Sequence, residues 1–582
     1  MAFDEKLQRV YRQRREEAWL KSRMIEGIPS LQDDFSEVRH CVVSSEEGIE
    51  ALVGDAQVIL MTGGYFGDEA KGKWGNALAT KVDMVVRPNS GANTGRTICY
   101  KAEKLSLHLV PTGLLEGIRA IIGSETVGDP ISLDEEELAL FRAREIDYSL
   151  LEVGNFFITT PYHRIMDVLG SALNGSTGVG IMPTHKSIKG KSCPRLDDLF
   201  NSSTHLRRVL SKDHENYEGF LETKLLNRDM VVERLLEIQQ RNRRIVPEYV
   251  LEFAKSREPI EFLNELYAER VVRNIHFPKR VDASYEVKRA LQRGERVLLE
   301  VTQSYLLSNA RQQGYRYSTS ADVTALGALT SLGISPMRYS TRVINVNKFP
   351  GASRVGPGDI PGSFVAQNHF AENKITSLSE LGEACVDFNA ICQMYFSAIG
   401  KNGILQPVTY TDATGTYEIG EAMAIANART FDERGATTGK PRITGLFDCV
   451  LGRLVAEEQG PYTVISCMDR GNVCDKVGLV VGYVVSLPEE VERIDCNGMM
   501  YTTGKVIVPG DQVPTSDVLQ YCVPIIKVME GWKSTPLGNL HPGEELPLAV
   551  SSVIGAIEKY TGFLVMAIGT GPETNEALYL KR

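Results

Sequence analysis

One short stretch carries the densest chemistry in this chain: Gly63-Gly64-Tyr65-Phe66-Gly67-Asp68-Glu69-Ala70-Lys71-Gly72-Lys73. Glycines let a backbone turn its N–H groups toward an anion, lysines neutralise that anion, and an acid can hold a cation or take a proton. The stretch follows the apolar run Val58-Ile59-Leu60-Met61, which reads as a buried strand, and precedes residues 74–80, which read as a short helix. Strand, glycine loop and helix start together predict a phosphate cradle. Gly67-x4-Gly72-Lys73 fits the P-loop spacing up to its last position, where a Ser or Thr would hold Mg²⁺ and Trp74 stands instead. Another oxygen must then hold the metal, and Asp68 is the candidate inside the loop. A glycine loop alone is often a plain surface turn; the strand before it and the charges within it favour a phosphate site.

The elements that must position this loop read as α/β. From 56 to 160, apolar runs such as Met84-Val85-Val86 and Ala120-Ile121-Ile122-Gly123 alternate with polar helical stretches such as 135–144. That pattern predicts a large, mostly parallel central sheet with flanking helices. Val297-Leu298-Leu299-Glu300, 343–346 and 562–571 read as further strands. Residues 1–55 read as an N-terminal helical extension, with a largely solvated helix over 4–23. The remainder, 56–582, reads as one domain carrying two insertions. The first, 201–292, is charged and helical in pattern and is expected to be peripheral; the second, 371–430, is mixed.

A 582-residue chain can bury one large core or several. Its 43% hydrophobic and 24% charged residues are those of a soluble globular protein. The net charge of −10 argues against a general nucleic-acid binder. The N-terminus has no apolar signal core, and no apolar run reaches the roughly 18 residues needed to cross a membrane, so a cytosolic protein is expected. The ten cysteines lie scattered without CxxC spacing, which predicts reduced thiols and no zinc site.

A second run shows what the loop belongs to. Val85-Val86-Arg87 leads through Gly91-Ala92-Asn93-Thr94-Gly95-Arg96-Thr97 to His108-Leu109-Val110-Pro111-Thr112-Gly113. Together with Gly67 to Lys73 this resembles the adenylosuccinate synthetase family, whose loop reads GDEGKGK and whose second motif reads GGxNAGHT. The resemblance covers residues 57–200 and most of 293–582. It implies a P-loop-like GTP-binding ligase fold. It also implies a GTP-dependent joining of L-aspartate to inosine monophosphate (IMP) through a 6-phosphoryl intermediate, with Mg²⁺ as cofactor and a homodimer as the assembly. Arg96 stands where the family has a catalytic histidine; it keeps positive charge but cannot give up a proton at neutral pH.

The resemblance also assigns site residues. Asp68 is the base that takes the purine N1 proton, and with the Gly95 carbonyl it ligates Mg²⁺. Gly67, Asp68, Glu69, Ala70, Lys71, Gly72, Lys73, Gly95, Arg96 and Thr97 surround the GTP phosphates. Gly175-Ser176-Thr177-Gly178-Val179-Gly180 resembles the monophosphate loop, with Thr177 on its phosphate-binding threonine. Lys191 falls on an arginine that the family donates across its dimer interface. Lys71, Asn93, Thr319, Lys440 and Gln303 complete the monophosphate site; Gln303 contacts the purine and, with Asp68 and Arg96, counts as catalytic. Ser353-Arg354-Val355-Gly356-Pro357-Gly358 is similar to the ribose-side loop. Gly435 to Arg442 resembles the loop that grips aspartate, through Thr437, Thr438 and Arg442, although Lys440 and Pro441 replace two arginines. Asp469 falls on the acid that accepts from guanine N1 and N2, Cys467 replaces a lysine that packs on guanine, and Gly569, Thr570 and Gly571 flank the base.

Taken singly, Gln303 would read as a structural glutamine, Asp469 as a turn residue and 175–183 as a surface turn; their shared order favours the functional assignment. Three functions fit these motifs. One is a divergent adenylosuccinate synthetase. Another is a related ligase with a different nucleotide or amino acid, such as the enzyme acting on deoxyguanosine monophosphate, which usually lacks the loop aspartate. The third is a nucleotide-binding protein without turnover, suggested by Arg96, Cys467 and the altered aspartate loop.

Overall fold

The computed structural model describes residues 29–582 except 102, 171–176, 242–244, 357, 359, 366–369, 371–374, 376, 436–438 and 539. The helix expected over 4–23 lies outside the described residues.

Among the described residues the centre of the molecule is a 12-stranded sheet. Val58–Gly63 is buried along its whole length and runs parallel to both neighbours, Val297–Ser304 and Thr341–Lys348. Beyond Val297–Ser304 lie Met84–Gly91, Arg119–Gly128, Leu151–Val153 and Lys279–Arg280. Beyond Thr341–Lys348 lie Tyr462–Ser466 and Leu564–Gly569, again parallel. Ala577–Leu580 and Val42–Val43 close that edge antiparallel. The expected mostly parallel α/β architecture is therefore the one observed.

The apolar runs are continuous because both faces of the sheet are covered. Val58, Leu60, Val297 and Leu299 face one way, onto helices Ala283–Gln292 and Ala325–Ser331. Ile59, Met61, Leu298 and Ile344 face the other way, onto helices Ser45–Val53 and Lys71–Ala79. The alternation is the period of two that an extended strand imposes. The strands that follow Val58–Gly63 build toward one edge as far as 280, and those from 341 onward build toward the other. The carboxyl end of Val58–Gly63 is thus a topological switch point, the place where open α/β sheets bind ligands. The glycine loop begins there.

Three boundaries differ from expectation. Val42–Val43 and helix Ser45–Val53 belong to the main sheet and its cover, so packing does not divide the chain at 55. The helices Ser203–Lys224, Arg228–Arg241, Glu248–Lys255 and Pro259–Tyr267 share one core with Leu107, Phe141 and Ile165, and Lys279–Arg280 extends the sheet itself. Their high surface charge concealed a narrow apolar stripe, since one buried face per helix is enough to dock it. A second sheet, unforeseen, contains Gly351–Arg354, Ile443–Asp448, Lys476–Val485, Val506–Ile507 and Cys522–Glu530. Helices Phe388–Ser397 and Ile419–Thr430, from the stretch expected as an insertion, share its hydrophobic core.

Among the described residues no helix is long and apolar enough to cross a membrane. All ten cysteines are free.

Candidate active site

Helix Lys71–Ala79 starts at Ala70, whose φ of 62° is left-handed and whose side chain caps nothing. Its first N–H groups therefore lack a side-chain acceptor at the cap and are oriented for an anion. Gly67 has φ 97° and Asp68 φ 65°. A glycine adopts such backbone at no steric cost, whereas Asp68 and Ala70 do so only because the surroundings hold them. Glu69 is the brace. Its buried carboxylate accepts from Gly67 N at 2.7 Å, Lys71 Nζ at 2.8 Å and Ser304 Oγ at 2.6 Å. Ser466 Oγ donates to the Glu69 carbonyl at 2.8 Å and accepts from Trp74 Nε1 at 2.9 Å. The tryptophan at the usual metal-hydroxyl position is thus a strut beneath the loop. At Gly72 a Cβ would come within 2.7 Å of the Thr97 carbonyl oxygen, so this glycine lets the strand Arg96–Tyr100 lie against the loop.

Two sequence assignments change character here. Glu69 and Lys71 were expected at the GTP phosphates, and Lys71 at the monophosphate as well. Their charged ends are joined to each other and to Ser304, so in this state they shape the loop from inside.

Asp68 is different: its side chain is 40% exposed and its Oδ2 lies 3.7 Å from Arg442 Nε. Arg442 Nε has no hydrogen-bond acceptor among the described residues. The candidate base and the candidate carboxylate anchor, far apart in sequence, therefore face one another. Lys440 closes the base of the same loop, its carbonyl accepting from Gly435 N at 2.9 Å. Thr437 and Thr438 lie outside the described residues.

Gln303 is buried with φ 55°, opposite Ser90 with φ 67°, and Ser90 Oγ donates to Gln303 Oε1 at 3.5 Å. Two left-handed non-glycine residues at adjacent strand ends are backbone strain of the kind that clusters at functional sites. Asn93 Oδ1 is buried without a partner among the described residues. Thr177 is half-buried just before Gly178 and Gly180, and Ile181 of the following helix lies against Gly91. Thr319 donates its N–H to the Leu307 carbonyl at 2.7 Å. Lys191 is exposed past the end of helix Ile181–Lys189.

Arg96 does not sit as expected. Its buried guanidinium lies 3.0 Å from Glu300 Oε2 and donates to the Glu300 carbonyl at 3.0 Å. Glu300 in turn accepts from Thr112 N at 2.9 Å and from Thr112 Oγ1. The strand alternation at Arg96–Tyr100 turns Arg96 and Ile98 inward and leaves Thr97 exposed. An inward arginine meeting a buried carboxylate pairs with it, and its charge is then directed away from the open face of the loop.

At the far end, Lys73 Nζ donates to the carbonyls of Gly571 at 2.6 Å and Glu576 at 2.5 Å, tying the loop to Gly569-Thr570-Gly571. Burial drags the Lys73 ammonium down to about 8, against the opposing pull of Glu576, Cys467 and Asp469. Asp469 is lifted above the usual carboxylate range, chiefly by burial. Burial likewise pushes the Cys467 thiol up. Trp532 backs this turn: its indole stacks on Phe349 with centroids 6.0 Å apart and donates to the Met468 carbonyl at 3.0 Å. Lys73, Cys467, Asp469 and Gly569 to Gly571 thus gather at one place, as a base-binding end requires.

A family model described as adenylosuccinate synthetase matches residues 60–578. The chain belongs to the adenylosuccinate synthetase family. The adenylosuccinate synthetase of Leishmania major is 41% identical over 576 residues, covering 96% of this chain and 81% of that one. That of Trypanosoma brucei brucei is 42% identical over 569 residues, covering 95% and 94%. A solved, fully ligated adenylosuccinate synthetase from Plasmodium falciparum aligns with a TM-score of 0.62 at 20% identity, over 90% of this chain and all of that one, and shows the same fold. As a member of this family the chain is a GTP-dependent ligase of purine biosynthesis.

Several residues of this adenylosuccinate synthetase family site were not singled out from sequence. Ser304 and Ser466 brace the loop, Glu300 holds Arg96, and Glu433 joins Lys348 to Arg470. Glu300 carried a readable signal, a lone acid in the apolar run Val297-Leu298-Leu299-Glu300-Val301, which a buried strand tolerates only with a partner. The serines carried none.

Proposed function

We propose that this protein joins L-aspartate to IMP at the expense of GTP. The observation that carries this reading is the placement of Asp68, at the switch point of the sheet and 3.7 Å from Arg442 Nε. A base for the purine and a cation for an amino-acid carboxylate are needed side by side in this reaction and in few others.

A purine carbonyl oxygen is a poor leaving group, and phosphorylation makes it a good one. Asp68 removes the N1 proton, so that O6 attacks the γ-phosphorus of GTP. The β–γ bridging bond breaks and GDP departs. The amine of aspartate, held by Arg442 with Thr437 and Thr438, then attacks C6; the C6–O bond breaks, and phosphate leaves and takes up the proton the amine gives up. The N–H groups at the start of helix Lys71–Ala79 stabilise the charge of the transferring group, and the Lys73 ammonium, nearer the base-binding end, neutralises the rest of the triphosphate. Gln303, Asn93, Thr177, Thr319 and Lys440 hold the monophosphate, with Lys191 contributed by the partner of a homodimer. Gly95 and Thr97 flank the phosphates, while Asp469, with Cys467 and Gly569 to Gly571 around it, selects guanine.

Mg²⁺ fits this site. The Asp68 carboxylate is 40% exposed, a hard oxygen donor of the kind the ion takes alongside phosphate and water, and by resemblance to the family the Gly95 carbonyl would be a second. When bound, the ion supplies positive charge to the transferring phosphoryl. A cytosolic location belongs to the same proposal.

The test is an assay of the full chain with GTP, Mg²⁺, IMP and L-aspartate, following phosphate release and product absorbance. Turnover supports the proposal. Phosphate release only with another nucleotide or amino acid would replace it with the related ligase, and nucleotide binding without any turnover would refute it.

A pH profile tests the base-binding end separately. If the triphosphate is held by the Lys73 ammonium, the empty protein is charged there below about 8 and neutral above it. GTP affinity is then expected to be level below that pH and to weaken above it, by at most about tenfold per pH unit. Lys73→Gln should weaken binding at low pH and flatten the profile; calorimetric titrations at several pH values read both.

A further inference from the structure

Glu433 stands outside the chemistry derived above, yet its surroundings join both ends of the site. It is buried at 2% exposure, and its Oε1 takes ion pairs from Lys348 and from Arg470. Burial would push this carboxyl up, but the two cations outweigh it and hold it at about 2, so it is ionised. Arg470 follows Asp469, the candidate guanine acceptor, in the same turn, Met468–Val473. Its guanidinium lies over the Phe431 ring at 4.8 Å and donates to the Phe431 carbonyl at 3.3 Å. The backbone of Glu433 faces the amino-acid side: its carbonyl accepts from Arg442 N at 2.9 Å. Arg442 is the residue that meets Asp68. One carboxylate therefore locks the base-reading turn to the foot of the amino-acid anchor, with Lys348 at the end of strand Thr341–Lys348 as the fixed post.

We infer that Glu433 is a positioning residue through which recognition of the GTP base sets the affinity for the amino-acid substrate. The inference rests on the function proposed above. When guanine engages Asp469, the Met468–Val473 turn is fixed; Arg470 carries that constraint to Glu433, and Glu433 carries it to Arg442. Affinities coupled in this way must be coupled reciprocally.

Inosine triphosphate is the probe, because it lacks the 2-amino group and so loses one of the two hydrogen bonds to Asp469. With saturating IMP, the aspartate KM of the native full-length protein is expected to rise at least about fivefold when GTP is replaced by inosine triphosphate. In Glu433→Gln that ratio should fall to near one, with kcat moving less than KM. A purely structural carboxylate would alter rates and both KM values in the variant yet leave the ratio at its native value, which would overturn the inference, as would a native ratio of one. If Glu433→Gln does not fold, Arg470→Lys keeps the charge on Glu433 but loses the planar contact with Phe431, and it should lower the ratio part-way; an unchanged ratio there counts against the inference. Absence of turnover with every substrate pairing would sink the proposed reaction instead. Calorimetric titration of L-aspartate with GTP or inosine triphosphate present would then read the coupling alone.

Discussion

Asp68→Asn is expected to lower turnover by about 10²–10⁴-fold, the usual worth of a positioned general base. Asparagine is close to isosteric and keeps one oxygen, so the loop should retain its shape: its conformation is held by Glu69, Ser304, Ser466 and Trp74, none of which bonds the Asp68 side chain. Binding of GTP and IMP, titrated without Mg²⁺ because Asp68 is also the proposed holder of that ion, should survive, because the phosphates meet backbone N–H groups and Lys73, whereas proton removal from N1 should not. Steady-state rates with phosphate release as readout, beside calorimetric titration of each nucleotide, separate the two. Retention of native turnover would remove Asp68 from its role. A loss of nucleotide binding equal to the loss of rate would show a binding residue, not a base.

The second large effect is on stability. Glu300→Gln is expected to destabilise the fold by about 3–5 kcal/mol, the range for breaking a buried ion pair by removing one partner. Glu300 is fully buried and faces Arg96 at 3.0 Å, while Thr112 donates to it from both N and Oγ1. Arg87 is buried nearby; desolvation first, and the charge of Arg96 second, pull its guanidinium far below the ordinary arginine range. Neutralising Glu300 leaves these two buried cations with less to balance them, Glu137 being the other carboxylate that acts on Arg87. Urea denaturation followed by tryptophan emission measures the change, and an unaltered midpoint would refute the pairing. By the same logic Arg96→His does not restore a catalytic acid. It should weaken the contact with Glu300 and lower stability, and a rise in turnover would show instead that position 96 faces the phosphoryl.

Much of the site was legible because it is local. Glycine spacing between Val58–Gly63 and Lys71–Ala79 determines where a backbone can present N–H groups to an anion, and no distant residue is needed to see that. The order of the later motifs carried the family, and with it the candidates Asp68, Gln303, Asp469 and Arg442. Alternating burial carried the sheet, since Val58 and Leu60 must face away from Ile59 and Met61. Charged helices with one narrow apolar stripe were harder to place, and the stretch from 203 to 292 proved to be a wall of the core.

The amino-acid sequence alone determined the family: a glycine loop with an acid inside it, on a parallel sheet, followed in order by motifs that resemble the family's purine and amino-acid loops. Only the tertiary structure decided which charges face the ligands and which face each other. Arg96 meets Glu300 across 204 positions and Trp74 meets Ser466 across 392. Backbone turns are set by neighbouring residues, so they can be read along the chain. A buried charge is satisfied by whatever partner the folded core brings within about 3 Å, and no local pattern specifies that partner.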